Sequence, residues 1–211
     1  MKKIITIDGP AGSGKEKISK YISKRCKYYH IDSGIFYRRL AYKLNRNSIN
    51  SSEKTKIKKF IKKIDFLSSR KHINLRQEKI GIIASEIAKF DFVREFINFQ
   101  QRLATKFMKN QKGFVIDGRD IGSVVFKKAS LKLYIDVDVT IRAKRRYKQL
   151  IDGGETSIYQ KILKDIKLRD NKDKTRSNSP LVIPKGAFII NNSKSFEHTK
   201  KQINKILERK N

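Results

Sequence analysis

An apolar, β-rich run, Lys3-Ile4-Ile5-Thr6-Ile7-Asp8, passes without a spacer into Gly9-Pro10-Ala11-Gly12-Ser13-Gly14-Lys15. Ile18, Tyr21, Ile22 and Cys26 then recur at near-helical spacing between lysines, so a helix starts around Lys15 and lays one face on a sheet. Strand, glycine-rich turn and helix in that order make a phosphate loop. Glycines let backbone N–H groups converge on an anion, the helix N-terminus adds partial positive charge, and the lysine reaches the outer phosphates. The next residues are Glu16 and Lys17, where the general pattern places Ser or Thr directly after the lysine.

Further along, Tyr28–Ile31 reads as a second strand ending at Asp32-Ser33-Gly34, and Phe36, Leu40 and Leu44 at four-residue steps predict a helix after it. Ser51–Leu67 reads as a lysine-rich peripheral helix with Ile57, Phe60, Ile61 and Ile64 on one face and Ser51-Ser52-Glu53 capping its start. A strand is expected at His72–Arg76 and one long helix over about Ile82–Lys109. Gly113–Asp117, Leu131–Asp136 and Phe188–Ile190 return as short apolar strands. Strands alternating with helices imply an α/β fold with a parallel central sheet, whose ligands bind at the carboxyl ends of the strands. Asp8, Asp32, Asp117 and Asp136 all fall there. The polar stretch Asp170–Ser179 reads as mobile.

Composition narrows the field. The 211 residues make one domain, or one core with small insertions, since domains typically run to about 100–150 residues. Lys and Arg number 51 against 20 Asp and Glu, a net charge of +31, while 38% apolar residues still suffice for a core. The natural ligands are therefore anions, although lysine, isoleucine and asparagine spread along the whole chain also fit a coding bias toward A/T-rich codons. The single cysteine, Cys26, excludes an internal disulfide framework and a Cys-rich zinc site, and it reads as a small buried apolar residue. No apolar run reaches the ~18–20 residues of a membrane span, and Ile4–Ile7 is too short for a secretory signal, so no membrane partner and a cytoplasmic location are expected. His30, His72 and His198 share no metal-like spacing and read as surface or packing residues.

Three segments carry a specific resemblance: Ile7-Asp8-Gly9-Pro10-Ala11-Gly12-Ser13-Gly14-Lys15, Ile31-Asp32-Ser33-Gly34-Ile35-Phe36-Tyr37-Arg38, and Val115-Ile116-Asp117-Gly118-Arg119-Asp120-Ile121-Gly122-Ser123-Val124-Val125-Phe126. Together with Ala84-Ser85-Glu86-Ile87-Ala88, Val93-Arg94-Glu95, Arg145-Arg146-Tyr147 and Arg169-Asp170-Asn171-Lys172-Asp173-Lys174-Thr175-Arg176, the chain resembles the bacterial cytidylate kinases over nearly its whole length. The resemblance implies one kinase domain over residues 1–211. Its fold is the three-layer P-loop NTPase type, with a core at about 1–34 and 106–211, a helical acceptor-binding insertion at about 35–105 and a lid at about 145–175. It also implies transfer of the γ-phosphoryl of ATP, with Mg²⁺, to CMP or dCMP by a monomer, with no polynucleotide partner.

The resemblance assigns ATP binding to Gly9, Pro10, Ala11, Gly12, Ser13, Gly14, Lys15, Glu16 and Lys17, and catalysis to Lys15, Arg119, Arg169 and Arg176. It assigns the acceptor to Ser33, Arg38, Ser85, Arg94, Asp117, Arg119, Asp120, Arg169, Asp173 and Arg176. Ser85, Arg94 and Asp120 select the base, Asp120 accepting from the exocyclic amine that uracil lacks. The arginines suit the chemistry, because phosphoryl transfer asks a protein mainly to position two polyanions and neutralise spreading charge. The basic run Arg142, Lys144, Arg145, Arg146 and Lys148 is expected to close over the ATP phosphates as part of the lid. The metal ligands are open.

The chain departs from the family pattern at Glu16-Lys17, where Gly-Thr is usual, so the hydroxyl directed at magnesium is absent and donor binding is expected to suffer. The stretch between Arg76 and Ser85 is also shorter than the family's. The rival reading that these departures and the +31 charge support is a basic nucleic-acid-binding protein that keeps the fold with impaired turnover.

Overall fold

The computed structural model describes residues 2–67, 74–75 and 77–209. Among them, strands β1 (Lys3–Asp8), β2 (Tyr29–Asp32), β3 (Gly113–Gly118), β4 (Leu131–Asp136) and β5 (Phe188–Asn191) form one sheet in the order β2-β3-β1-β4-β5. The pairs β1·β3, β1·β4 and β4·β5 are parallel, with Asp8 opposite both Gly118 and Tyr134, and Asp136 opposite Asn191. That register brings the carboxyl ends of four strands to one edge of the sheet, where an open α/β fold binds its ligands. Five helices belong with these strands or their flanks: α1 (Lys15–Cys26), α6 (Val139–Asp152), α7 (Tyr159–Thr175), α8 (Phe196–Glu208) and a π-helical turn at Ile121–Val125.

The chain divides into two compact units, Met1–Ile31 with Lys112–Asn211, and Asp32–Gln111. In the first, Ile5 and Ile7 of β1, Val115 of β3, Leu133 and Ile135 of β4 and Ile190 of β5 pack against Ile18 and Ile22 of α1 and Ile203 and Leu207 of α8. Each of these aliphatic side chains contributes about 1.5–3 kcal/mol by leaving water. Cys26 and Tyr21 pack partly buried on the same cluster, as the helical spacing from Ile18 predicts.

The second unit holds helices α2 (Gly34–Arg46), α3 (Lys54–Lys63), α4 (Glu78–Ile87) and α5 (Asp91–Phe107). Phe36, Leu40 and Leu44 are buried on α2, matching their spacing. Phe66 stacks on Phe36 with centroids 6.0 Å apart and meets Phe96 edge-on at 5.3 Å. This aromatic pairing accounts for the early end of α3. The chain turns extended at Ile64 so that Phe66 can bury, and of the four apolar residues expected on the face of α3 only Ile57 is buried. Glu53, rather than either serine, precedes the first helical residue and accepts from the N–H of Asn50.

The single helix expected at Ile82–Lys109 is two. Phe90 is extended, stacks on Phe92 at 5.5 Å, and offers its carbonyl to the N–H groups of Val93 and Arg94, which starts α5 anew with the acidic Asp91 in its first turn. The strand expected at His72–Arg76 falls on undescribed residues except for Asn74 and Leu75, which are in no strand. No helix among the described residues is long and apolar enough to cross a membrane.

Candidate active site

The glycine-rich segment between β1 and α1 wraps the start of α1, and side-chain donors hold four of its carbonyls. Lys15 Nζ donates to Pro10 O at 2.7 Å and to Ser13 Oγ at 3.3 Å. Arg119 Nη1 donates to Gly9 O at 3.2 Å, Arg142 Nη1 to Ala11 O at 3.0 Å, and Asn192 Nδ2 to Ser13 O at 2.8 Å. In a trans peptide the N–H points opposite to the C=O, so carbonyls tied down on one side present the following amides on the other. Fixing Ala11 O and Ser13 O thus aims the N–H groups of Gly12 and Gly14, which is the array an oxyanion needs.

Lys15 is buried at 7% exposure, and this burial first, with the Arg119 guanidinium second, holds its ammonium well below the ordinary lysine range. The negative charge of an arriving phosphate opposes both effects, so the loop favours an anionic ligand electrostatically.

Asp8, at the end of β1, is fully buried and accepts from the N–H groups of Ile121 and Gly122 at 2.8 and 2.7 Å. Burial nevertheless pushes its carboxyl up to about 6, with Asp120 adding to the rise and the two amides opposing it. A Cβ on Gly122 would stand 2.7 Å from Thr6 Oγ1 and 3.0 Å from Asp8, so only glycine lets this π-helical turn close on the carboxylate. Asp8 thereby anchors the turn that follows Asp120.

Around that turn the expected catalytic and acceptor residues of the first unit converge. Asp173 accepts from Arg119 Nε at 2.9 Å and from Arg176 Nη1 at 3.3 Å, and Arg176 Nη2 lies 3.8 Å from Asp120. Arg169 is exposed on α7, and its charge reaches Lys15. Asp117 is paired with His30 at 2.8 Å. The other four acceptor residues lie in the second unit. Ser33 is buried at the start of α2, with its carbonyl accepting from Gln101; Arg38 Nη1 donates to Leu75 O at 3.0 Å; Ser85 is exposed on α4; and Arg94 is buried, its guanidinium 5.9 Å from the Tyr37 ring centroid.

Two groups of expected donor-site residues have partners within the protein. The basic run divides between the interior, at Arg142, and the surface, at Lys144, Arg145, Arg146 and Lys148. Arg142 is buried, and its guanidinium serves Val137 O, Ala11 O and both carboxylate oxygens of Asp170 at 3.1 and 2.6 Å, while Arg145 donates to Asn192 O. The geometry wins because a buried guanidinium needs most of its five donors matched. The departures from the loop pattern turn away: Glu16 pairs with Lys20 one helical turn on at 2.7 Å, and Lys17 Nζ sits 4.2 Å above the Phe196 ring.

Sequence reasoning missed the parts played by His30, Asp170, Asn192 and Thr199, and it singled out Arg142 without its buried partners. For Asn192 a signal was present, since Asn191-Asn192 ends a strand at the ligand edge of the sheet; the others depend on partners far away in the chain.

A glycine-rich loop at the carboxyl edge of a parallel sheet, with a buried lysine and converging arginines, defines a P-loop phosphotransferase. The cytidylate kinase family model matches residues 5–210, and the chain belongs to that family. The cytidylate kinase of Bartonella bacilliformis is 38% identical over 190 residues, covering 90% of this chain and 86% of that one. That of Thermosipho africanus is 36% identical over 212 residues, covering 97% and 92%. Among solved structures, TT1252 from Thermus thermophilus aligns over 99% of this chain and 97% of its own with a TM-score of 0.51 at 12% identity, a likeness of fold alone.

Proposed function

We propose that this chain transfers the γ-phosphoryl of ATP to CMP and dCMP, giving ADP with CDP or dCDP. The observation that carries the reading is the fork at Asp173, one carboxylate holding Arg119 and Arg176, beside a loop whose Gly9 carbonyl Arg119 also binds. Two permanent cations are thus preset next to a phosphate-binding loop, and phosphoryl transfer is catalysed mainly by positioning and by neutralising spreading charge.

In this reading Lys15 and the loop amides bind the outer phosphates of ATP. Arg119, Arg169 and Arg176 draw the acceptor phosphate into line and stabilise the transferring group, and no side-chain nucleophile takes part. Ser33 and Arg38 serve the acceptor nucleotide. Asp120, held by the turn that Asp8 anchors, accepts from the exocyclic amine of cytosine with Ser85 and Arg94, and opposite uracil it loses that partner.

ATP enters as its magnesium complex. Neither side chain after Lys15 offers the ion a hydroxyl, and among the described residues no group of three or more His, Cys, Asp or Glu is set to hold a metal. The nucleotide phosphates and water then fill most of the octahedral positions of the ion. The intact loop and the arginine fork favour turnover over the rival polynucleotide-binding reading.

A coupled ADP-release assay with CMP, dCMP and UMP tests the proposal. ADP forms with CMP and dCMP well ahead of UMP, and Asp120→Ala narrows that gap. Equal rates with UMP would remove the base assignment, and salt-dependent binding to polynucleotide with no ADP formed from ATP and CMP would overturn the kinase reading.

A further inference from the structure

The phosphate loop is braced from behind by groups that no phosphate contact requires. Asn192 follows the last residue of β5 and is 6% exposed, with its backbone N–H donating to Asp136 O at 3.0 Å, so it is pinned to the end of the neighbouring strand. Its side chain meets two partners, Ser13 O at 2.8 Å and the Thr199 hydroxyl at 2.7 Å, and Thr199 is fully buried on the first turn of α8. A carbonyl only accepts, so the amide nitrogen faces Ser13 and the oxygen is left to receive the Thr199 proton. The same amide fills the space beside Gly14. That residue has φ +83°, and a Cβ there would lie 2.6 Å from Asn192 Nδ2. Any side chain at position 14 is thus barred twice, by backbone strain and by the brace.

We infer that Asn192 is a positioning residue for ATP binding: held by Thr199, it ties back the Ser13 carbonyl and so aims the Gly14 N–H at the nucleotide phosphates. Arg142 does the same for Ala11 and Gly12 from the other side. Asn192 touches no reacting atom. It lowers the reorganisation the loop undergoes when an anion arrives, so its loss falls on the donor nucleotide and spares the acceptor. The inference rests on the phosphoryl-transfer reading, and its test is built so that the two fail separately.

Asn192→Ala, Asn192→Asp, Thr199→Val and Thr199→Ser are compared with the unaltered chain by steady-state kinetics and by calorimetric binding of ADP. Asn192→Ala raises KM for ATP about tenfold and weakens ADP binding to match, with KM for CMP within about twofold. Asn192→Asp is worse than alanine, because a carboxylate opposes the Ser13 carbonyl and the incoming phosphates. Thr199→Val, which keeps shape but loses the hydroxyl, raises KM for ATP about threefold, and Thr199→Ser restores it. Should Asn192→Ala not fold, the Thr199 pair decides alone. Unchanged ADP affinity in folded variants would overturn the inference, as would equal rises in KM for ATP and CMP, which mark a merely structural role. An unaltered chain that binds ADP yet makes none from ATP and CMP defeats the kinase reading, while ADP calorimetry on the variants still judges Asn192.

Discussion

Asp8 offers a quantitative check on the electrostatics beneath the loop. Its carboxyl is raised from 3.8 to about 6, chiefly by burial. The folded state therefore binds this proton more tightly than the unfolded chain does, and stability falls as pH rises through the window between those values. At about 1.36 kcal/mol per pH unit, the full penalty above the window is about 3 kcal/mol, of which about 1 kcal/mol is already present near pH 4.5.

Asp8→Asn keeps the volume and one acceptor for the amides of Ile121 and Gly122. The hydrogen bond it sacrifices costs the same at every pH, because asparagine does not titrate. Between about pH 4.5 and about pH 7 the variant should therefore gain about 2 kcal/mol on the unaltered chain, or about 4–8 °C in the difference between their melting temperatures. Thermal unfolding of both proteins across a pH series reads this directly. The titration of carboxylates that do not interact with Asp8 is common to both and cancels. A stability difference, variant minus unaltered chain, that stays flat to within about 0.5 kcal/mol, or that falls with rising pH, would refute the argument that burial outweighs the two N–H donors.

Three further outcomes are expected. Because burial and Arg119 depress Lys15 while a bound phosphate restores it, KM for ATP should rise with pH well before the ordinary lysine range, and Lys15→Met should abolish turnover and leave calorimetric ADP affinity flat over the same range; a flat KM profile in the unaltered chain would contradict the assignment. Arg142→Met strands the partly buried Asp170 carboxylate and leaves Ala11 O and Val137 O without their donor, and it should destabilise the fold by about 3 kcal/mol in denaturant titration, against which a loss under about 1 kcal/mol would count. Glu16→Gly with Lys17→Thr removes an exposed pair with Lys20 and a cation–π contact, so it should lower stability by about 1 kcal/mol and leave KM for CMP unchanged; a shifted CMP KM would show these side chains reaching the acceptor.

Local signals carried the reading of the sequence where the physics is local. The loop at Gly9–Lys15 was legible because strand, glycines, lysine and helix are contiguous, and the edge of the sheet was legible because short apolar runs end in Asp or Asn. What was illegible depends on distance along the chain. Arg142 reads as one of five cations of a closing lid until Asp170 and Ala11 are brought to it, and His30 as a stray imidazole until Asp117 arrives 87 residues later. The break at Ala88–Phe90 hid for another reason: apolar periodicity continues across it, and only Asp91 hints at a new helix start.

The order of the strands has a consequence for how the chain is made. β1 leaves the ribosome long before either of its partners, β3 at Gly113–Gly118 and β4 at Leu131–Asp136. At about 5–20 residues per second, the central strand of the sheet waits for several seconds with both edges open, while the whole of Asp32–Gln111 is synthesised and able to collapse as its own unit. Nascent β1 is therefore the segment most in need of shielding during translation, and the lysines at its start, Lys2 and Lys3, which keep an edge from joining another chain, stand where that need is greatest.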